Sequence, residues 1–393
     1  MFADSVHVDV ICMNSYRALK AKEVQLALAA LQERLEQCPR VNGQHAVVLT
    51  RLEALLATFA GELITIEPVI QDAAFRSLVD ITLNRISTFL SIVETQFIRG
   101  LATPSQEELF LREILLNCLK RLGLDWIEDM VVQGSGELAI YPDLDRSLAT
   151  PAFHVPTGLL DSFLSLPGVY HEFGHSVFAK FSSILIAMQQ VSRAYFANLR
   201  SQLGPMQPGI RVKQLDRFQQ AEEFWSDRRL EELFCDLFAQ YIGGCANIVS
   251  MIDLSMAKGR PTYEMDDSDY PPDAARVRVC ALALAADQAN EPATKHLLEE
   301  WEEYAQQFSD SQFYRDTCPE NLLGQFGQSV FAALVSELPN LPKMQGPPPD
   351  VQVVFTPAKT ISFEDAIHQG CAVLAWRRDN FESWWQDVRT RLV

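Results

Sequence analysis

Apolar residues recur at three- and four-residue spacing from Val24 to Leu35, His45 to Leu63, Ile70 to Ile98 and Gln106 to Leu122. That period predicts four amphipathic helices. Breaks fall at Pro39 to Gly43, around Pro68 and at Gly100 to Pro104. The pattern predicts an N-terminal helical bundle over residues 1–134. Gly136 to Tyr141 carries a strand signal between Gly and Pro, the clearest in the first half, and Phe153, His154 and Val155 suggest a second strand. His154 receives no functional role. Further helical patterns cover Ala274 to Ala289, Thr294 to Phe308, Leu322 to Leu338 and, with at least one break, Phe363 to Leu392.

Between the two runs of helices lies the segment Leu166 to Phe181. Ser165 is placed to cap a helix, Pro167 suits its first turn, and Val169, Phe173, Val177 and Phe181 form an apolar stripe. Its opposite face carries His171-Glu172-Phe173-Gly174-His175, the H-E-x-x-H pattern. Two histidines four residues apart project about 40° from one another around the helix. Both imidazoles can therefore reach one Zn²⁺ ion, with Glu172 directed at a water in the open position. Gly174 costs about 1 kcal/mol relative to Ala in a helix interior, which implies a second backbone close to this face.

A catalytic zinc site takes three protein ligands. The metzincin solution is excluded, because Phe178 and Phe181 occupy the positions where Gly and His are required. A second helix, capped by Ser226 and stopped at Gly243-Gly244, offers carboxylates instead. Its residues Leu230, Leu233, Phe234, Leu237, Phe238, Tyr241 and Ile242 share an apolar arc, and Glu232 and Asp236 lie on a separate stripe. This predicts Glu232 as the third ligand and Asp236 as the acceptor that fixes the tautomer of His171. Glu231, about 100° away, is the weaker candidate, and Asp236 is the other fallback for direct ligation.

H-E-x-x-H on one helix and E-x-x-x-D on a later one resembles the gluzincin metallopeptidases. The resemblance covers about Gly136 to Arg278. Asp269-Tyr270-Pro271-Pro272-Asp273-Ala274-Ala275-Arg276 resembles, more weakly, the H-P-P-x-x-x-R segment of soluble-domain relatives of the CAAX prenyl endopeptidases, with Tyr270 where that family has His. The resemblance implies a zincin-like unit with a small edge sheet on which a peptide substrate docks by β-augmentation. It also implies a catalytic role for Tyr270 or Arg276 as donor to the oxyanion.

The fold expectation is mainly α (α+β). A metallopeptidase domain spans 135–345, and a Pro-rich linker with a C-terminal helical segment packing on it spans 346–393. At 44.3 kDa and a mean hydropathy of −0.01 the chain suits a globular protein. It has no run of about 18 apolar residues. Its N-terminus lacks a basic region followed by an apolar stretch, and its eight cysteines show no C-x-x-C spacing. These features predict a cytoplasmic protein with reduced thiols. A net charge of −18 disfavours nucleic acid and anionic membranes as partners. A protein or peptide substrate is expected, and the N-terminal bundle offers a surface for a protein partner.

The functional expectation is a zinc endopeptidase with His171, His175 and Glu232 as ligands and Glu172 as the proton shuttle. The alternative is a zincin-fold regulatory or sensor module whose site is occluded and which acts through protein–protein contacts.

Overall fold

In a computed structural model, residues 3–38, 45–135, 138–141, 151–156, 159–161, 163–204, 208–259, 261–265, 269–288, 299, 301–343, 360–376 and 381–392 are described. The chain divides into two units, one of residues 1–116 and 125–156, the other of 117–124 and 157–393. The strands therefore group with the N-terminal helices, and the boundary falls after Pro156 where the sequence suggested 134.

The first unit contains α1 (Ala3–Glu36), α2 (Ala46–Ile66), α3 (Arg76–Ile92), α4 (Ile98–Ala102) and most of α5 (Gln106–Arg121). Leu28, Leu31 and Leu35 of α1 meet Leu49, Leu52, Leu56 and Phe59 of α2 and Val79, Leu83 and Ile86 of α3 in one apolar core. The expected helix from Ile70 to Ile98 is subdivided. Asp72 accepts a hydrogen bond from the N–H of Ala74 at 2.8 Å and starts a short 3₁₀ turn, and a π turn at Val93–Phe97 separates α3 from α4. The break at Pro39 to Gly43 lies outside the described residues.

Three strands complete this unit: β1 (Val131–Ser135), β2 (Ala139–Tyr141) and β3 (Ala152–Pro156), in the order β1-β3-β2. β3 pairs in parallel with β1, Val131 opposite Ala152, and antiparallel with β2, Ala139 opposite His154. Both predicted strands are present, although Gly136 and Glu137 lie outside the described residues. β1 was not anticipated from the sequence; parallel pairing with β3 holds its Gln133-Gly134-Ser135 extended. A methyl group on Gly100 would stand 2.6 Å from Val131 Cγ1, so the glycine lets the backbone of α4 lie directly on β1.

The second unit is helical: α6 (Gly168–Lys180), α7 (Ser182–Ser201), α8 (Pro208–Phe224), α9 (Asp227–Gly243), α10 (Cys245–Lys258), α11 (Asp273–Gln288), α12 (Gln312–Thr317), α13 (Glu320–Glu337), α14 (Phe363–Trp376) and α15 (Phe381–Arg389). At its centre is α9, packed by α6, α7, α10, α11, α13 and α14. From Glu232 to Gly243 every residue of α9 is buried, acids included. Thr294 and, of the Pro-rich linker, residues 346–359 lie outside the described residues. Among the described residues no helix is long and apolar enough to cross a membrane.

Candidate metal centre

α6 and α9 are positioned by their ends and by their apolar stripes. The Ser226 side chain accepts from the N–H of Arg229 to cap α9, and Gly244 ends it with φ 55°. α6 begins without a side-chain cap: Pro167 occupies the N-cap, and Ser165 belongs to a preceding 3₁₀ turn. Val169, Phe173 and Val177 are fully buried, which turns His171 and His175 toward α9. The helices touch at Gly174, where an added Cβ would lie 2.9 Å from the Cα of Cys235. This is the close second backbone that the glycine implied.

His171 faces Asp236 and His175 faces Glu231, so α6 and α9 run antiparallel across the site. Nδ1 of His171 donates to Asp236 Oδ1 at 2.9 Å, the partnership expected from the sequence. Nδ1 of His175 donates to Glu231 Oε1, also at 2.9 Å. Both Nε2 atoms are left on the side of Glu232, at 3.3 Å from its Oε2 for His171 and 3.9 Å from its Oε1 for His175. Glu232 is 2% exposed, and its buried Oε2 has no hydrogen-bond partner among the described residues.

Behind Asp236 stands Arg276 of α11, which donates from Nε to Oδ2 at 2.6 Å and from Nη2 to Oδ1 at 2.7 Å. The sequence suggested Arg276 as an oxyanion donor. The structure gives it a different task, because the two nitrogens of its fork are already bound to a buried carboxylate. Asp236 is held well below the usual carboxylate range: burial opposes the ionised form, and the charge and hydrogen bonds of Arg276 outweigh it. Burial likewise lowers His171, but its hydrogen bond to Asp236, the Glu232 carboxylate beside Nε2 and the charges of Asp236 and Glu172 prevail, and the ring is pushed up to about 10.

Glu172 is half-buried, and its charge acts on His171, Cys235 and Tyr270. Tyr270 is 48% exposed, with its ring centroid 5.5 Å from the Arg276 guanidinium carbon. Its phenol is pushed up first by burial and then by the charge of Glu232.

His171, His175 and Cys235 form a buried group whose ligand atoms lie within 4.8 Å of one another, and this group could hold a metal ion. The sequence already sets Cys235 beside the metal-facing side of α9, with a role as ligand or redox switch weighed against simple packing and packing preferred. Its thiol is raised well above the usual range, first by burial and then by the charges of Glu232, Glu231, Glu172 and Asp236. The pairing of Glu231 with His175 was missed; it follows once Asp236 is set against His171 in an antiparallel pair, since the residues about one turn back on α9 then meet the histidine one turn on along α6. No family model, curated protein or solved structure matches this chain.

Proposed function

We propose that the second unit is a zinc-dependent endopeptidase. The observation that carries this reading is the fate of the four imidazole nitrogens. Both Nδ1 atoms are committed to carboxylates, which leaves both Nε2 atoms facing the buried Glu232 carboxylate, whose Oε2 has no hydrogen-bond partner among the described residues. His171, His175 and Glu232 would hold the ion, and His171 would give up its Nε2 proton to do so. Cys235, whose Sγ lies with the two imidazoles within 4.8 Å, is the competing third ligand.

When bound, zinc would polarise a scissile carbonyl and bring the pKa of a water toward about 7. The Glu172 carboxylate would take the proton of that water and return it to the leaving amine. Asp236 keeps Nδ1 of His171 protonated, and Arg276 keeps Asp236 ionised. Tyr270 is the remaining candidate for a donor to the developing oxyanion.

Zinc content and cleavage of a proteome-derived peptide library test this reading together. Wild-type protein should bind one zinc and cut peptides, whereas Glu172→Gln should keep zinc and lose about 10²- to 10⁴-fold in rate. Zinc without cleavage would favour the regulatory alternative, and absence of zinc binding would defeat both.

A further inference from the structure

Three acids of α9 face the two histidines, and they are not equivalent. Glu232 lies on the Nε2 side. Asp236 lies behind His171, and Glu231 lies behind His175 with Oε1 2.9 Å from Nδ1. The Oε1 of Glu231 therefore cannot share an ion with Nε2 of the same ring without giving up that bond. A ligating histidine needs a partner on its other nitrogen to fix tautomer and ring orientation, and His175 has no other carboxylate at Nδ1 among the described residues.

Resting on the zinc reading above, we propose that Glu231 is the positioning residue of His175, the counterpart of Asp236 at His171. The two positioning acids differ in what holds them. Asp236 is clamped by the buried fork of Arg276. Glu231 is held by Arg228 through a 3.1 Å bond from Nη1 to Oε2, and that arginine side chain is 60% exposed. Arg228 also stands 3.8 Å from Asp269, which is 65% exposed. Ion pairs this exposed are screened and contribute little. The positioning therefore resides in the Glu231 to His175 bond, and Arg228 only steadies it.

Zinc affinity, read by competition with a chromogenic chelator, and the visible spectrum of the Co²⁺-substituted protein test the assignment without reference to activity. Glu231→Ala should weaken zinc binding about 10- to 100-fold and shift the Co²⁺ bands, because His175 loses its fixed orientation. In Glu231→Gln the amide oxygen can accept the same Nδ1–H bond, so most of the affinity should return. Arg228→Ala should stay within about threefold of wild type, the scale of an exposed ion pair. Wild-type affinity in Glu231→Ala would overturn the assignment and leave the zinc reading intact. An equal loss in Glu231→Gln would also overturn it, by showing that charge and not orientation matters. A wild-type protein that binds no zinc would instead sink the metal reading on which this one stands.

Discussion

Replacing Gly174 by alanine would place a methyl carbon 2.9 Å from Cα of Cys235 and 3.1 Å from both its Cβ and its Sγ. Non-bonded carbons rest at about 3.5–4.0 Å, so α6 and α9 would have to separate by roughly half an ångström. Helix propensity acts in the opposite sense, since alanine in a helix interior is favoured over glycine by about 1 kcal/mol. Overpacking a tight contact costs about 1–3 kcal/mol, and here the nearest atom is backbone, which cannot swing aside. The net expectation is a destabilisation of about 0–2 kcal/mol by these two principles.

Gly61 in α2 and Gly324 in α13 are internal controls, because nothing lies within 4 Å of a Cβ built at either. Alanine there should stabilise by up to about 1 kcal/mol. Separating α6 from α9 would also draw Glu232 away from both Nε2 atoms, so zinc affinity should fall with stability in Gly174→Ala and in neither control. Urea unfolding followed by circular dichroism reads the first quantity, and chelator competition reads the second. A Gly174→Ala protein that gained stability like the controls, with unchanged zinc affinity, would refute the close crossing of the two helices.

Four further outcomes follow from the same geometry. Zinc titration should find Glu232→Gln much weaker than Cys235→Ala, and the reverse order would make Cys235 the third ligand. Removing Arg276 should cost about 3–5 kcal/mol in urea unfolding, because buried Asp236 loses the fork that clamps it and keeps only its bond to His171, and Arg276→Lys should recover only part of it since one ammonium cannot reproduce the fork. If the Tyr270 phenol reaches the oxyanion, Tyr270→Phe should lower kcat about 10²-fold with KM and zinc content unchanged; unaltered kcat would strike it from the catalytic group. In the first unit Glu108 accepts from the N–H groups of Ser105 at 2.6 Å and Gly134 at 2.5 Å; burial opposes ionisation there, these bonds outweigh it, and its carboxyl lies below the ordinary 4.5. The unfolded chain then binds the proton first, so this stabilisation is full above that value and fades as pH falls through the lower folded one. Glu108→Gln should flatten that acid-side slope of stability against pH.

The helices at the metal centre were legible because each of their signals is local. Ser226 and Gly244 lie at the two ends of α9, and the stripe of Val169, Phe173 and Val177 sets the azimuth of His171 and His175 without help from any distant residue. Asp236 was legible too, since one helical turn separates it from Glu232 on the same stripe. What depended on packing partners was not. β1 holds an extended Gly134 only because β3 pairs with it. Arg276 is presented to Asp236 by α11, and the choice between a clamp and an oxyanion donor rests on which way that helix faces. The loop resemblance carried no such information.

Charge placement on α9 ties these findings together. Glu231, Glu232 and Asp236 are three carboxylates within two turns of one helix, all with side chains at most 14% exposed. Burying a carboxylate is costly unless a cation and hydrogen bonds compensate it. Asp236 has the fork of Arg276, and Glu231 has Arg228 as well as His175. Among the described residues Glu232 has no arginine or lysine within ion-pair distance, only the two Nε2 atoms at 3.3 and 3.9 Å. An acid chosen for stability alone would be the easiest of the three to replace by an apolar residue of similar size. The Glu232 carboxylate instead stands where two imidazole nitrogens converge, the placement on which the proposal of a shared metal cation rests.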